Sequence, residues 1–117
     1  MPQAPKTLGQ MIAEKRKEIG LSQKALAEKI INADTGLPIS PQYLNDIEHD
    51  RRTPSSDHML TQIAKILKIE EDYVFFLADR IPARLKKLNP GEEAVHEFVN
   101  RAASLAVAFR KQANNNR

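Results

Sequence analysis

A hydroxyl side chain stands immediately ahead of each of the first four apolar-periodic stretches of this chain, at Thr7, Ser22, Ser40 and Ser55 or Ser56. Such a side chain accepts hydrogen bonds from the unpaired N–H groups that open a helix, so the repeated punctuation restricts the chain to a succession of short helices. Thr7 precedes Leu8, Ile12 and Ile19, spaced as one helical face, and Gly20 supplies a left-handed stop. Ser22 opens a helix from Gln23 through Ile31 with Leu26, Ala27 and Ile30 inward. Ser40-Pro41 joins a cap to a proline at the first helical position, where the missing N–H does no harm. That helix runs to about Glu48 and buries Leu44 and Ile47. The fourth turns Leu60, Ile63, Ala64 and Leu67 to one side, and a fifth, Glu70 to Asp79, is expected to pack through Tyr73, Phe76 and Leu77. All four glycines read as turn residues. No stretch shows the strict apolar alternation of a half-buried strand. The expected fold class is all-α.

Pro82 interrupts the pattern, and 81–89 reads as a short connector with room for one helical turn. Asn89-Pro90 repeats the cap-plus-proline signature, with Glu92 and Glu93 favouring the positive end of a helix dipole. The last helix should run from Pro90 to about Lys111, roughly 33 Å at about 1.5 Å per residue, followed by a polar, frayed tail from Gln112 to Arg117. A chain of 117 residues suits one compact domain with an appended element. The expected division is 1–80 and 81–117.

Composition excludes more than it indicates. With no cysteine there is neither a disulfide framework nor zinc-thiolate chemistry, which fits a reducing cytoplasm. Apolar runs such as Val74 to Ala78 fall far short of a membrane span, and Met1 to Lys6 has no secretory apolar segment. A cytoplasmic protein is expected. His49, His58 and His96 are scattered, and there is no HExxH, glycine-rich phosphate loop or nucleophile motif. Neither an enzyme, a metal site nor a cofactor is expected. The net charge of +3 points only weakly to a polyanion. Residues 1–30 carry six Lys/Arg against three Glu, whereas residues 31–50 carry four acids and no base. A DNA contact from that central stretch must work by hydrogen bonding, with cations supplied by its neighbours.

Three ordered blocks then stand out: Leu21-Ser22-Gln23-Lys24-Ala25-Leu26-Ala27, Ser40-Pro41-Gln42-Tyr43-Leu44-Asn45-Asp46-Ile47-Glu48, and Arg51-Arg52-Thr53-Pro54. Together they resemble the phage-repressor-like, or Cro/C1-type (XRE), helix-turn-helix family over about residues 7–80. The resemblance implies a five-helix domain whose third helix lies in the major groove of double-stranded DNA. It also implies that Glu48 pairs with Arg16 of the first helix as architecture. One departure is the turn: nearly ten residues separate Ile30 from Ser40, so either the second helix extends toward Asp34 or the turn bulges as a loop.

The residues themselves supply an interface. With Leu44 and Ile47 inward, Gln42, Tyr43, Asn45, Asp46 and His49 face away from the core. Gln and Asn offer the paired donor and acceptor that match the N6/N7 edge of adenine. Gln23 and Ser40, at helix N-termini, and Lys24 beside them suit phosphate, while Tyr43, Arg51 and Arg52 suit backbone contacts. Asp46 would repel phosphate unless it accepts from cytosine N4 or holds a neighbouring arginine, and the second is the preferred expectation.

The last helix bears a stripe of Val95, Phe98, Val99, Ala102, Leu105, Ala106 and Phe109 at near-heptad spacing. It either covers the domain's own core or joins two subunits. Because five helices should already close a core, a homodimer contact is preferred. The expected function is a sequence-specific transcriptional regulator, a repressor acting as a dimer on a palindromic operator. The alternative is an antitoxin that represses its own operon and covers a toxin protein through residues 81–117. An effector protein is a further expected partner of the chain, and a module that has lost DNA binding is disfavoured by the polar groove face.

Overall fold

Four hydroxyls close four helix starts in the computed structural model, which describes residues 6–115, and side-chain environments over that span apart from Ala83 and residues 107–115. Thr7 accepts from the Gln10 amide at 3.1 Å and receives the Gln10 side chain in return, a reciprocal capping box at the head of α1 (Leu8–Glu18). Ser22 and Ser40 accept at 3.0 Å from Ala25 and Tyr43, opening α2 (Gln23–Lys29) and α3 (Pro41–Glu48). Ser56, rather than Ser55, caps α4 (Asp57–Leu67). Three further helices follow, α5 (Glu71–Leu77), α6 (Ala83–Lys86) and α7 (Glu92–Asn115). Among the described residues the only extended pairing is an isolated antiparallel bridge between Ile31 and Pro38. The fold is all-α.

Contacts divide the chain into one unit spanning Lys6–Ala83 and a second beginning at Arg84. The core of the first is drawn from all of α1 to α5: Ile12, Leu26, Leu44, Ile47, Leu60, Ile63, Val74 and Phe75 are sealed from solvent. Every buried apolar residue of the described chain lies between Leu8 and Phe75. The five helices therefore close their own core.

Two faces differ from their expected phase. In α1 the inward residues are Leu8, Met11 and Ile12, while Ile19 is the C-cap residue and 44% exposed. The helix stops at Glu18, so Ile19 no longer lies on its stripe. In α5 the core takes Val74 and Phe75, leaving Tyr73 exposed, Phe76 73% exposed and Leu77 half-buried. This short helix is apolar on both sides, so spacing alone could not choose between them.

The long turn is a loop, not an extension of α2. Ile30 ends that helix in an extended conformation and Ile31 leaves it. Asn32 closes the loop by donating to Leu37 at 2.8 Å and accepting from Gly36 at 2.8 Å, with Gly36 at φ +70. Gln62 of α4 clamps its entrance, accepting from Ile31 N–H and donating to Ile31 C=O, both at 2.8 Å. The chain thus returns to Ser40 on a fixed path.

Gly9 is not the turn residue expected of it but lies inside α1. A Cβ there would stand 2.4 Å from the Ile47 carbonyl oxygen and 2.5 Å from that of Glu48. Two backbones meet, so nothing can yield cheaply. Gly9→Ala is expected to push α1 off the end of α3 and destabilise the domain by about 1–3 kcal/mol despite alanine's better helix propensity. Denaturant melts of the two chains test this, and an equally stable or more stable variant would contradict it.

The second unit holds α7 and all of α6 but its first residue, Ala83. Asn89 is not the helix cap expected of it. It lies at φ 46 and its N–H donates to Lys86, finishing the α6 turn. The Gly91 carbonyl accepts from Val95 at 3.1 Å, so α7 starts at Glu92 and runs to Asn115, beyond the expected end at Lys111. Val95, Phe98, Val99 and Leu105 of the stripe are 45%, 46%, 55% and 58% exposed. Ala102 and Ala106 are also exposed, and the side chain of Phe109 lies outside the described residues.

Candidate nucleic-acid interface

Leu44 and Ile47 bury one side of α3, which leaves Gln42, Asn45, Asp46 and His49 on the other, with Tyr43 half-buried at its edge. Three supports fix the helix. Glu48 is 3% exposed at its side chain and receives Arg16 in a fork, Nε at 2.7 Å and Nη2 at 3.0 Å. The remaining Nη1 of Arg16 donates to Leu21 C=O, tying in the turn before α2. Gln23, first residue of α2, bridges the two motif helices by donating to Glu48 Oε1 at 3.0 Å and Asn45 Oδ1 at 3.1 Å. Asp50, at φ 60 just past α3, turns back on the head of α1, accepting from Gly9 N–H at 3.1 Å and Thr7 Oγ1 at 2.6 Å. A carboxylate at a helix N-terminus meets both unpaired donors and the positive end of the dipole. The pairing of Arg16 with Glu48 is formed as the family pattern implied.

These supports resolve the charge problem of residues 31–50. Glu48 is neutralised by Arg16, Asp50 is engaged by α1, and Asp46 lies 3.1 Å from Arg51 Nε and 3.9 Å from Arg52 Nε. Among the described residues, Asp34 in the loop is the one of the four acids with no such engagement. The face is left with amides, an imidazole and exposed cations.

The expected contact residues fall into two groups. Gln42, Lys24, His49, Arg51 and Arg52 are exposed, and the Arg52 guanidinium stacks 5.2 Å from the centroid of the Tyr43 ring. Gln23 and Asn45 are half-buried and bonded to each other, so Gln23 acts first as a strut between helices. Ser40 keeps its hydroxyl on Tyr43 N–H as a cap, and His49 places Nδ1 2.9 Å from the Asn45 carbonyl oxygen. Sequence reasoning missed Arg80, which donates to the Pro54 carbonyl at 2.8 Å and pairs with Asp57 at 3.2 Å. It holds the loop that carries Arg51 and Arg52. A charged residue just past an apolar helix was the only available signal. Among the described residues no helix is long and apolar enough to cross a membrane.

Residues 12–74 match the family described as Helix-turn-helix. A chain of the solved structure titled SinR protein/SinI protein complex is similar at 23% identity and a TM-score of 0.48, over 86% of this chain and 99% of that one. Among curated proteins none matches.

Proposed function

The chain belongs to the Cro/C1-type (XRE) helix-turn-helix family of DNA-binding transcription regulators, and from that premise we propose that it is a repressor binding a palindromic operator as a homodimer. The observation that carries this reading is the face of α3, where Asp46 is held by Arg51 while Gln42, Lys24, Arg51 and Arg52 are all exposed. Gln42 and Asn45 read base edges, with the Asn45 oxygen also accepting from Gln23. Lys24, Arg51 and Arg52 bind phosphate and set affinity without sequence preference. Two such faces about 34 Å apart would occupy one side of a duplex over successive turns and exclude polymerase.

Selection of bound duplexes from a random pool is the direct test, and it should return an inverted repeat. On the selected site Gln42→Ala is expected to lose about 1–3 kcal/mol and to relax preference at one position in each half. Arg51→Ala should weaken all duplexes alike and flatten the dependence on salt. Retention of wild-type affinity and selectivity by the Gln42→Ala/Asn45→Ala chain would overturn the assignment.

A further inference from the structure

One acid on the reading face is unlike the others. Glu48 and Asp50 serve the architecture of the domain, but among the described residues the Asp46 carboxylate binds only groups that the proposed function needs for DNA. Its Oδ1 accepts from Gln42 Nε2 and from Arg51 Nε, each at 3.1 Å, and its Oδ2 lies 3.9 Å from Arg52 Nε. The carboxylate is 22% exposed, while the two arginine side chains are 55% and 59% exposed and well placed to leave it.

Two consequences follow from elementary chemistry. A carboxylate can only accept, so Gln42 must turn its amide nitrogen toward Asp46 and not its oxygen. That leaves one N–H and Oε1 of Gln42 without a bond among the described residues, a donor beside an acceptor in fixed order. Without Asp46 the amide is free to turn over and present either order. Phosphate, in turn, competes with Asp46 for Arg51 and Arg52, and a carboxylate displaced in that exchange is left facing the groove. It is tolerated beside an amino group of cytosine or adenine and repelled by the acceptor edges of guanine and thymine.

Resting on the DNA-binding reading above, we propose that Asp46 is the specificity-setting residue of this interface. It restrains Arg51 and Arg52 on duplexes that do not match and fixes the amide order with which Gln42 reads those that do. It is a positioning residue for three contacts and a repulsive element against the wrong bases.

The test compares the full-length chain with Asp46→Asn, which removes the charge and keeps the shape. Binding to the selected operator and to a random duplex of equal length is read by fluorescence anisotropy over a salt series from about 50 to 200 mM. Affinity for the random duplex should rise about 3–10-fold at the low-salt end, with a log–log slope steeper by about one. The operator-to-random ratio should fall roughly tenfold or more. Adding Arg51→Ala to Asp46→Asn should abolish most of the gain on the random duplex. Unchanged or weaker binding to the random duplex, with an unchanged slope, overturns the proposal. A large loss of thermal stability in Asp46→Asn also overturns it, because Asp46 would then be architectural. If the wild-type chain prefers no duplex over another, the DNA-reading function fails as well, and the pool selection shows this before the variant is made.

Discussion

Glu48→Ala is expected to destabilise the domain by about 3–5 kcal/mol, because it leaves the Arg16 guanidinium uncompensated in a site almost closed to water. The two side chains are 11% and 3% exposed and meet through two hydrogen bonds, so removing the carboxylate strands a charge instead of returning it to solvent. Gln23 loses its acceptor on Glu48 in the same step, which loosens the strut between α2 and α3. For a domain of this size the loss corresponds to a fall in melting temperature on the order of 10–30 °C. Arg16→Ala should cost somewhat less, since Glu48 keeps the Gln23 amide. The double variant should cost clearly less than the sum, giving a coupling of roughly 1–3 kcal/mol. Replacing both charges by apolar side chains of similar volume, Arg16→Met together with Glu48→Leu, should recover most of the stability, because the desolvation of both charges disappears with them. Thermal melts of the set decide the matter. Small, additive losses would show that the ion pair does not hold the motif together.

Much of this architecture could be read locally and some of it could not. The caps at Thr7, Ser22 and Ser40 were legible because a cap and the amide it serves lie three residues apart, and the signal is contained in the sequence window. The inward positions of α2, α3 and α4 were legible because each has one apolar side. Where a helix is apolar on both, as in α5, the choice belongs to the neighbours it packs against, and Phe75 rather than Phe76 fills the core. The same limit applies to Asp50, whose partners Gly9 and Thr7 are 41 and 43 residues away. Gly9 reads as a turn residue until the carbonyl oxygens of Ile47 and Glu48 are placed against it. At the interface, the residue types of the reading face were legible, and so was the pairing of Asp46 with a neighbouring arginine, but not that Gln23 belongs to the frame.

The other large effect concerns assembly. An operator read by two linked domains gains from each the specificity of the other, and the linkage alone raises affinity by about 10²–10⁴ over a single domain. On α7, Val95, Phe98, Val99 and Leu105 carry their apolar surface at 45% to 58% exposure, a row of large side chains that water does not favour on an isolated helix. The core between Leu8 and Phe75 is already closed, so the first unit is expected to stand without this row. A second copy offering the same stripe is the expected occupant, with Ala102 and Ala106 allowing the two helices to approach closely. Light scattering on the full-length chain at micromolar concentration should therefore give twice the mass of one chain. Phe98→Asp or Leu105→Asp would bury an unpaired charge in that contact and should yield a folded monomer. A chain ending at Ala83 should melt cooperatively and also be monomeric. Both should lose about 10²–10⁴ in operator affinity while keeping weak half-site binding, and the loss should not depend on which base pairs are altered. A full-length monomer would sink the homodimer. An unfolded chain ending at Ala83 would instead assign α7 to the stability of the first unit.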